Sequence, residues 1–100
     1  MEEKCNELYK AIRVAYEDMT IRQDSELSKI LLSASNEVIR SGDAGLSALR
    51  LDRQLSLYST RHDFSLPDSA RSLKHLTQDL AADYRKSKEV SKWIKPLLWD

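Results

Sequence analysis

Apolar residues recur every three or four positions in four successive stretches of this chain, and polar or glycine-containing breaks separate them. In the first stretch, Cys5, Leu8, Tyr9, Ile12, Tyr16 and Met19 follow the spacing of one helix face. Glu2, Glu3 and Glu7 favour the N-terminal end of that helix through its dipole. The pattern predicts a helix over about 3–19, with Tyr9 and Tyr16 lining a core. A polar break at Thr20–Asp24 follows, where Asp24 or Ser25 can cap the next helix. Leu27, Ile30, Leu31, Ala34, Val38 and Ile39 mark that helix over about 24–41, and Leu32 and Ile39 widen its apolar face. Arg40 suits its C-terminal end and Gly42 provides the stop.

Ser41–Gly45 holds both glycines and reads as the joint between two helical hairpins of one domain, residues 1–100. Either hairpin alone would leave a long apolar stripe in water. The second hairpin, Leu46 to Leu80, organises the rest. In its first arm, about 46–61, Ala48, Leu51, Leu55 and Tyr58 form one stripe, while Leu46, Leu49 and Leu57 fall on nearly the opposite side. Such a helix either lies between two bundle neighbours or offers Leu49 and Leu57 as an exposed strip for a partner. The second arm, about 66–86, carries Ala70, Leu73, Leu76, Leu80, Ala81 and Tyr84. Ser65 is its expected N-cap, Pro67 fits the first turn and Asp68 suits the helix dipole. Phe64 or Leu66 can fold back as a hydrophobic staple. The turn between the arms spans roughly Arg61–Ser65, a usual length between antiparallel helices.

The tail differs in character. Residues 85–95 hold five basic groups and one acid, Glu89. Lys88, Lys92 and Lys95 share one helical face; Val90, Trp93, Ile94 and Leu97 share the other. Pro96 disfavours helix at Lys95, so a short helix over about 87–94 and an extended end are expected. The whole predicts an all-α protein: an antiparallel four-helix bundle with a short C-terminal helix or tail.

Composition agrees. Two glycines, two prolines and 41% hydrophobic residues suit a compact helical domain and argue against disorder. Zero net charge gives no general attraction to nucleic acid or membrane. The single cysteine, Cys5, cannot form an intramolecular disulfide and reads as a small core residue. There is no apolar run of about 18 residues, and the acidic N-terminus lacks the apolar stretch of a signal peptide. A cytoplasmic protein is expected.

Candidate chemistry is sparse. His62, His75 and Cys5 lack metal-ligand spacing, so no metal is expected. His62, beside Asp63 in the turn, reads as solvated, and His75 falls opposite the apolar stripe. No nucleophile elbow and no glycine-rich phosphate loop occurs. Small helical chorismate mutases hold a dicarboxylate with Arg and Lys inside a bundle, and Arg13, Arg50 and Arg53 are conceivable there. Charged residues of this chain fall mostly off the apolar stripes, however, so no enzyme and no cofactor are expected. A helix-turn-helix is disfavoured because Asp68, Asp79 and Asp83 accompany Arg71 and Lys74, which excludes nucleic acid as the expected partner. The tail is the one local feature above background. Lys88, Lys92, Trp93, Lys95, Leu97, Leu98 and Trp99 form a candidate surface for an anionic membrane face or a membrane-protein partner. Equally, Trp93, Ile94 and Leu97 can fold back over the bundle while the lysines stay in water.

At these residues the chain resembles the immunity proteins of class IIa (pediocin-like) bacteriocins, of the enterocin A immunity type. The resemblance is carried by ELYKAI near the start, the helix ending at Ser41–Gly42, and LRLDRQLSLYSTRHDFSLPDSARSLKHL. Its most distinctive element is a leucine helix, a short turn with Phe64-Ser65-Leu66, and another leucine helix. The resemblance implies an antiparallel four-helix bundle that protects a lactic acid bacterium or streptococcus from its own or related bacteriocins. It implies action from the cytoplasmic side, on the membrane part of the mannose phosphotransferase permease when the bacteriocin is bound there. It also implies that the C-terminal half, here the fourth helix and the tail through Trp99, decides which bacteriocin is recognised. Family members are often basic, whereas this chain is neutral, so membrane association is expected to be peripheral at most. A monomer is expected. The alternative is a small helical adaptor or regulatory module that binds through Leu49 and Leu57, for which a stable homodimer would mark the strip as a self-interface.

Overall fold

Three aspartates set where the helices begin. Asp18 accepts the backbone N–H of Thr20 at 2.9 Å, Asp24 accepts those of Glu26 and Leu27 at 3.0 Å each, and Asp43 accepts that of Leu46 at 3.0 Å. Each side chain satisfies donors that the first turn of a helix leaves unpaired. The computed structural model describes the backbone of residues 3–99 and the side chains of residues 3–86. It contains α1 (Glu3–Tyr16), α2 (Met19–Gln23), α3 (Ser25–Ser41), α4 (Ala44–Arg61) and α5 (Asp68–Trp99), with no strand among the described residues.

The fold is all-α, a bundle of the four long helices α1, α3, α4 and α5. Helix α1 packs beside α3 and α5, and α4 packs beside α3 and α5. Side-chain pairs give the directions. Arg50 meets Glu37 and Arg61 meets Glu26, so α3 and α4 run antiparallel. Lys74 meets Asp52 at 2.9 Å, and Tyr84 lies against Gly45, so α4 and α5 do too.

The core lies between these helices. It takes Cys5, Leu8 and Ile12 from α1, Leu27, Leu31 and Val38 from α3, Ala48, Leu51 and Leu55 from α4, and Ala70, Leu73 and Leu80 from α5. Tyr9 and Tyr16 pack half-buried against it. The expected stripes of α4 and α5 face the core, with Leu76 and Tyr84 only half-buried and with Ser47 and Thr77 added. Thr77 is fully buried because its hydroxyl donates to the Lys74 carbonyl one turn earlier, at 2.9 Å. Ser47 shares a hydrogen bond with the Ser41 hydroxyl at 3.2 Å.

Four local expectations change. The first helix ends at Tyr16, and the polar break becomes the short helix α2. The Asp18 cap restarts the chain, so Ile21 is buried and Met19, expected on the inner face, is exposed. On α3, Leu32 and Ile39 remain outside the core, because Leu27, Leu31 and Val38 already fill the face toward α1 and α4. Ser65 does not cap α5. The first helical bond there runs from the Arg71 N–H to the Pro67 carbonyl, which places the cap at Pro67. The backbone of α5 is helical through Pro96 to Trp99, without a break near residue 87 or an extended end. No glycine or other proline interrupts it after Asp68, and Pro96 removes only one backbone donor.

Candidate partner-binding surfaces

The predicted recognition residues Lys88, Lys92, Trp93, Lys95, Leu97, Leu98 and Trp99 lie outside the residues whose side chains are described. The predicted strip on α4 is described, and its two leucines part company. Eight residues of helix separate them by roughly 80° around the axis. Leu57 is exposed and, with Ile30, Ala34 and Leu51, lines a groove of about 590 Å³ between α3 and α4; Leu49 is half-buried outside that groove. Of Arg13, Arg50 and Arg53, the last two line this same groove, while Arg13 lies elsewhere, on α1. Arg13 sits over the Tyr9 ring at 5.8 Å, Arg50 pairs with Glu37, and Arg53 is exposed. Among the described residues no group of His, Cys, Asp and Glu is placed to hold a metal ion, and no helix is long and apolar enough to cross a membrane.

The densest polar construction is at one end of the bundle, where the α1–α2–α3 connections meet the α4–α5 loop. Two carboxylates do double service there. Asp24 uses Oδ1 to cap α3 and Oδ2 to accept the Tyr58 hydroxyl of α4. Asp18 uses Oδ1 to cap α2 and Oδ2 to accept the Ser69 hydroxyl of α5 at 2.7 Å. Each therefore ties the N-terminal half of the chain to the C-terminal half. Glu26 reaches across from α3 to Arg61 and, at 3.0 Å, to Nε2 of His62. His62 also stacks on the Tyr58 ring, with centroids 4.1 Å apart and planes 22° apart. His62 is exposed, as expected, but the C-terminal end of α4 also turns its ring back onto Tyr58. His75 is exposed.

These contacts set the protonation of the cluster. Burial pushes the Asp24 carboxyl up, but the Tyr58 hydroxyl and the N–H groups of Leu27 and Glu26 outweigh it and hold the group below the usual carboxylate range. Glu26 is held low by its bond to His62, against a smaller effect of burial, with help from Arg61. Asp18 is held low chiefly by the Ser69 hydroxyl and the Thr20 N–H. Burial and then the adjacent Asp24 carboxylate push the Tyr58 hydroxyl up to about 12.

The loop over this end is tightly specified. After the His62 cap, Asp63 and Phe64 both take left-handed backbone conformations, with φ of 54° and 60°. The Phe64 N–H donates to the Ser59 carbonyl at 2.7 Å and the Ser65 N–H to the His62 carbonyl at 3.0 Å. Leu66 is buried and acts as the anchor of the turn, while Phe64 is exposed. A recess of about 550 Å³ opens beside the loop, bounded by Thr20, Asp24, Arg61, His62 and Pro67. Sequence reasoning missed the Asp24–Tyr58 and Asp18–Ser69 ties, which join residues far apart in the chain. The left-handed pair did leave a signal: no glycine follows Tyr58 to end α4, so ordinary residues must make that reversal.

A sequence model of the bacteriocin immunity protein family matches residues 3–84. The match ends at Tyr84, the residue that packs against Gly45 at the first turn of α4. No curated protein and no solved structure matches the chain.

Proposed function

Because the chain belongs to the bacteriocin immunity protein family, we propose that it protects the cell that makes it from a pediocin-like bacteriocin, acting at the cytoplasmic face of the membrane. Its target there is the mannose phosphotransferase permease that serves as receptor, alone or with the bacteriocin bound. The observation that carries this reading is the family match over residues 3–84, which takes in the four-helix core. The family is not one of enzymes, so protection is a matter of binding.

In this reading the C-terminal half sets which bacteriocin is resisted. Lys88, Lys92, Trp93, Lys95, Leu97, Leu98 and Trp99 form the recognition surface. Two facts support that choice: residues 85–95 concentrate five basic groups against one acid, and both tryptophans follow the last residue matched to the family. Aromatic and cationic side chains suit a partner at a membrane face, where peripheral association brings the protein to its receptor. The protein acts as a monomer.

The test is a protection assay. The chain is expressed inside a bacteriocin-sensitive strain, and a panel of pediocin-like bacteriocins is titrated. A large rise in inhibitory concentration for some members of the panel is expected. No shift across the panel, with soluble protein present in the cells, would overturn the reading.

A further inference from the structure

Phe64 is the chain's single phenylalanine and, at 79%, the most exposed large apolar side chain among the described residues. Its backbone sits at φ 60°, a conformation that side-chain-bearing residues rarely adopt. The preceding Asp63 shares that conformation, but aspartate tolerates it far better than an aromatic residue does. The loop has no slack through which Phe64 could relax. It is fastened on one side by the Phe64 N–H to Ser59 and by the His62 ring against Tyr58 and Glu26. On the other side it is held by buried Leu66, whose carbonyl accepts Arg71 Nη2 at 3.2 Å, and by Ser69 on Asp18. A glycine or asparagine at this position would make the same turn with less strain and without an apolar ring in water. The fold thus holds an aromatic side chain outward at a cost to its own stability, which is the signature of a functional constraint.

We propose that Phe64 is a binding anchor, which enters an apolar pocket with a basic rim on the protein that this chain recognises. The proposal rests on the immunity reading and names a contact surface within it, at the opposite end of α5 from the tail. The charge around the ring selects a protein pocket over a lipid surface. Asp63 beside it is exposed and makes no ion pair among the described residues. The Asp68 side chain is 97% exposed and pairs with Arg71 at 3.4 Å. Arg61 is engaged by Glu26. The outward Asp63 carboxylate next to the ring, unpaired among the described residues, is repelled by anionic headgroups but complements basic groups around a pocket. Aromatic residues, phenylalanine included, are also enriched at the buried centre of protein interfaces.

Phe64→Gly separates binding from stability, because it removes the ring and relieves the backbone together. The full-length chain and its Phe64→Gly, Phe64→Leu and Asp63→Lys variants are compared in the protection assay and in urea unfolding. The expected result for Phe64→Gly is an unfolding midpoint equal to or above that of the parent, with protection reduced roughly tenfold or more. Phe64→Leu retains most protection, since it still fills an apolar pocket, and Asp63→Lys loses part of it while remaining folded. If the parent protects and Phe64→Gly protects equally, the anchor is refuted and the immunity reading stands. If the folded parent does not protect at all, the immunity reading fails and the anchor falls with it. Binding of the parent to mixed phosphatidylglycerol–phosphatidylcholine vesicles that is lost in Phe64→Gly would overturn the protein pocket in favour of membrane insertion.

Discussion

Tyr58 and Asp24, 34 positions apart in the chain, meet at the end of the bundle, where the tyrosine hydroxyl donates to the Oδ2 of a carboxylate whose Oδ1 is already capping α3. One side chain thereby stabilises a helix start and fixes α4 to it. The two roles separate by mutation. Tyr58→Phe removes only the cross-link and should cost about 1–2 kcal/mol, the range of a hydrogen bond to a charged group that water can partly replace. Asp24→Ala removes the cap as well and should cost about 2–3 kcal/mol. Urea unfolding of the two single variants and the double variant checks this. The double variant should be no worse than Asp24→Ala by more than a few tenths of a kcal/mol, because both changes delete the same bond.

The same cluster predicts the pH limits of stability. Asp24, Glu26 and Asp18 are held below their ordinary values of 3.8, 4.5 and 3.8 in the folded state. A carboxyl that is more acidic when folded contributes stability above its unfolded value, and that contribution disappears as pH falls through the folded one. Tyr58 behaves oppositely. Its hydroxyl rises from 10.0 to about 12, so its contribution is complete below pH 10 and is lost as pH climbs through about 12. The unfolding midpoint should therefore be flat from about pH 5 to pH 9 and fall on both sides. Tyr58→Phe should remove the alkaline loss that this residue causes. Ultraviolet titration should show a tyrosine ionising near pH 12 in the parent that is missing in Tyr58→Phe.

What could be read in advance follows from the range of the interactions. The stripes on α4 and α5 were legible because helical spacing is local: Ala48, Leu51, Leu55, Ala70, Leu73 and Leu80 are buried as the pattern requires. The Asp24 cap was legible for the same reason. Thr77 was not, since it lies on the α4–α5 interface, where its hydroxyl comes within 3.5 Å of Asp52 on the facing helix. Nor was the fate of Met19, which a three-residue shift in where the first helix ends turns from the core to water. The cluster at the bundle end escaped because its ties span many positions. Its strained loop announced itself only through a missing glycine.

Gly45 was legible as part of a joint, but its real constraint is in packing. It lies inside the first turn of α4, and a methyl added there would come within 2.7 Å of Tyr84 Cδ2 and 2.8 Å of Tyr84 Cβ. The near atom at 2.8 Å is anchored to the backbone of α5, so a rotamer change cannot clear it. Gly45→Ala should cost about 1–3 kcal/mol despite the better helix propensity of alanine. Gly42→Ala faces open space and loses only the left-handed cap at φ 63°, a cost of about 1 kcal/mol. Adding Tyr84→Ala should recover part of the Gly45→Ala loss and none of the Gly42→Ala loss, as thermal unfolding of the double variants will show.

The tail offers the complementary test to Phe64. Among the described residues of α5, the core takes Ala70, Leu73, Thr77, Leu80 and Ala81, and the pairing with α4 reaches its first turn at Tyr84. If the surface formed by Lys88, Lys92, Trp93, Lys95, Leu97, Leu98 and Trp99 recognises a partner, Trp93→Ala with Trp99→Ala should lower protection strongly. The unfolding free energy should then stay within about 0.5 kcal/mol of the parent, as for a surface change. Loss of folding would instead mean that the tryptophans cover the bundle, and full protection would remove the tail from the recognition surface. Combining the tail variant with Phe64→Gly adds a distinction neither gives alone. Two anchors on one partner should weaken protection more than either change, whereas a tail that only selects among bacteriocins should reshape the panel while Phe64→Gly lowers every member of it alike.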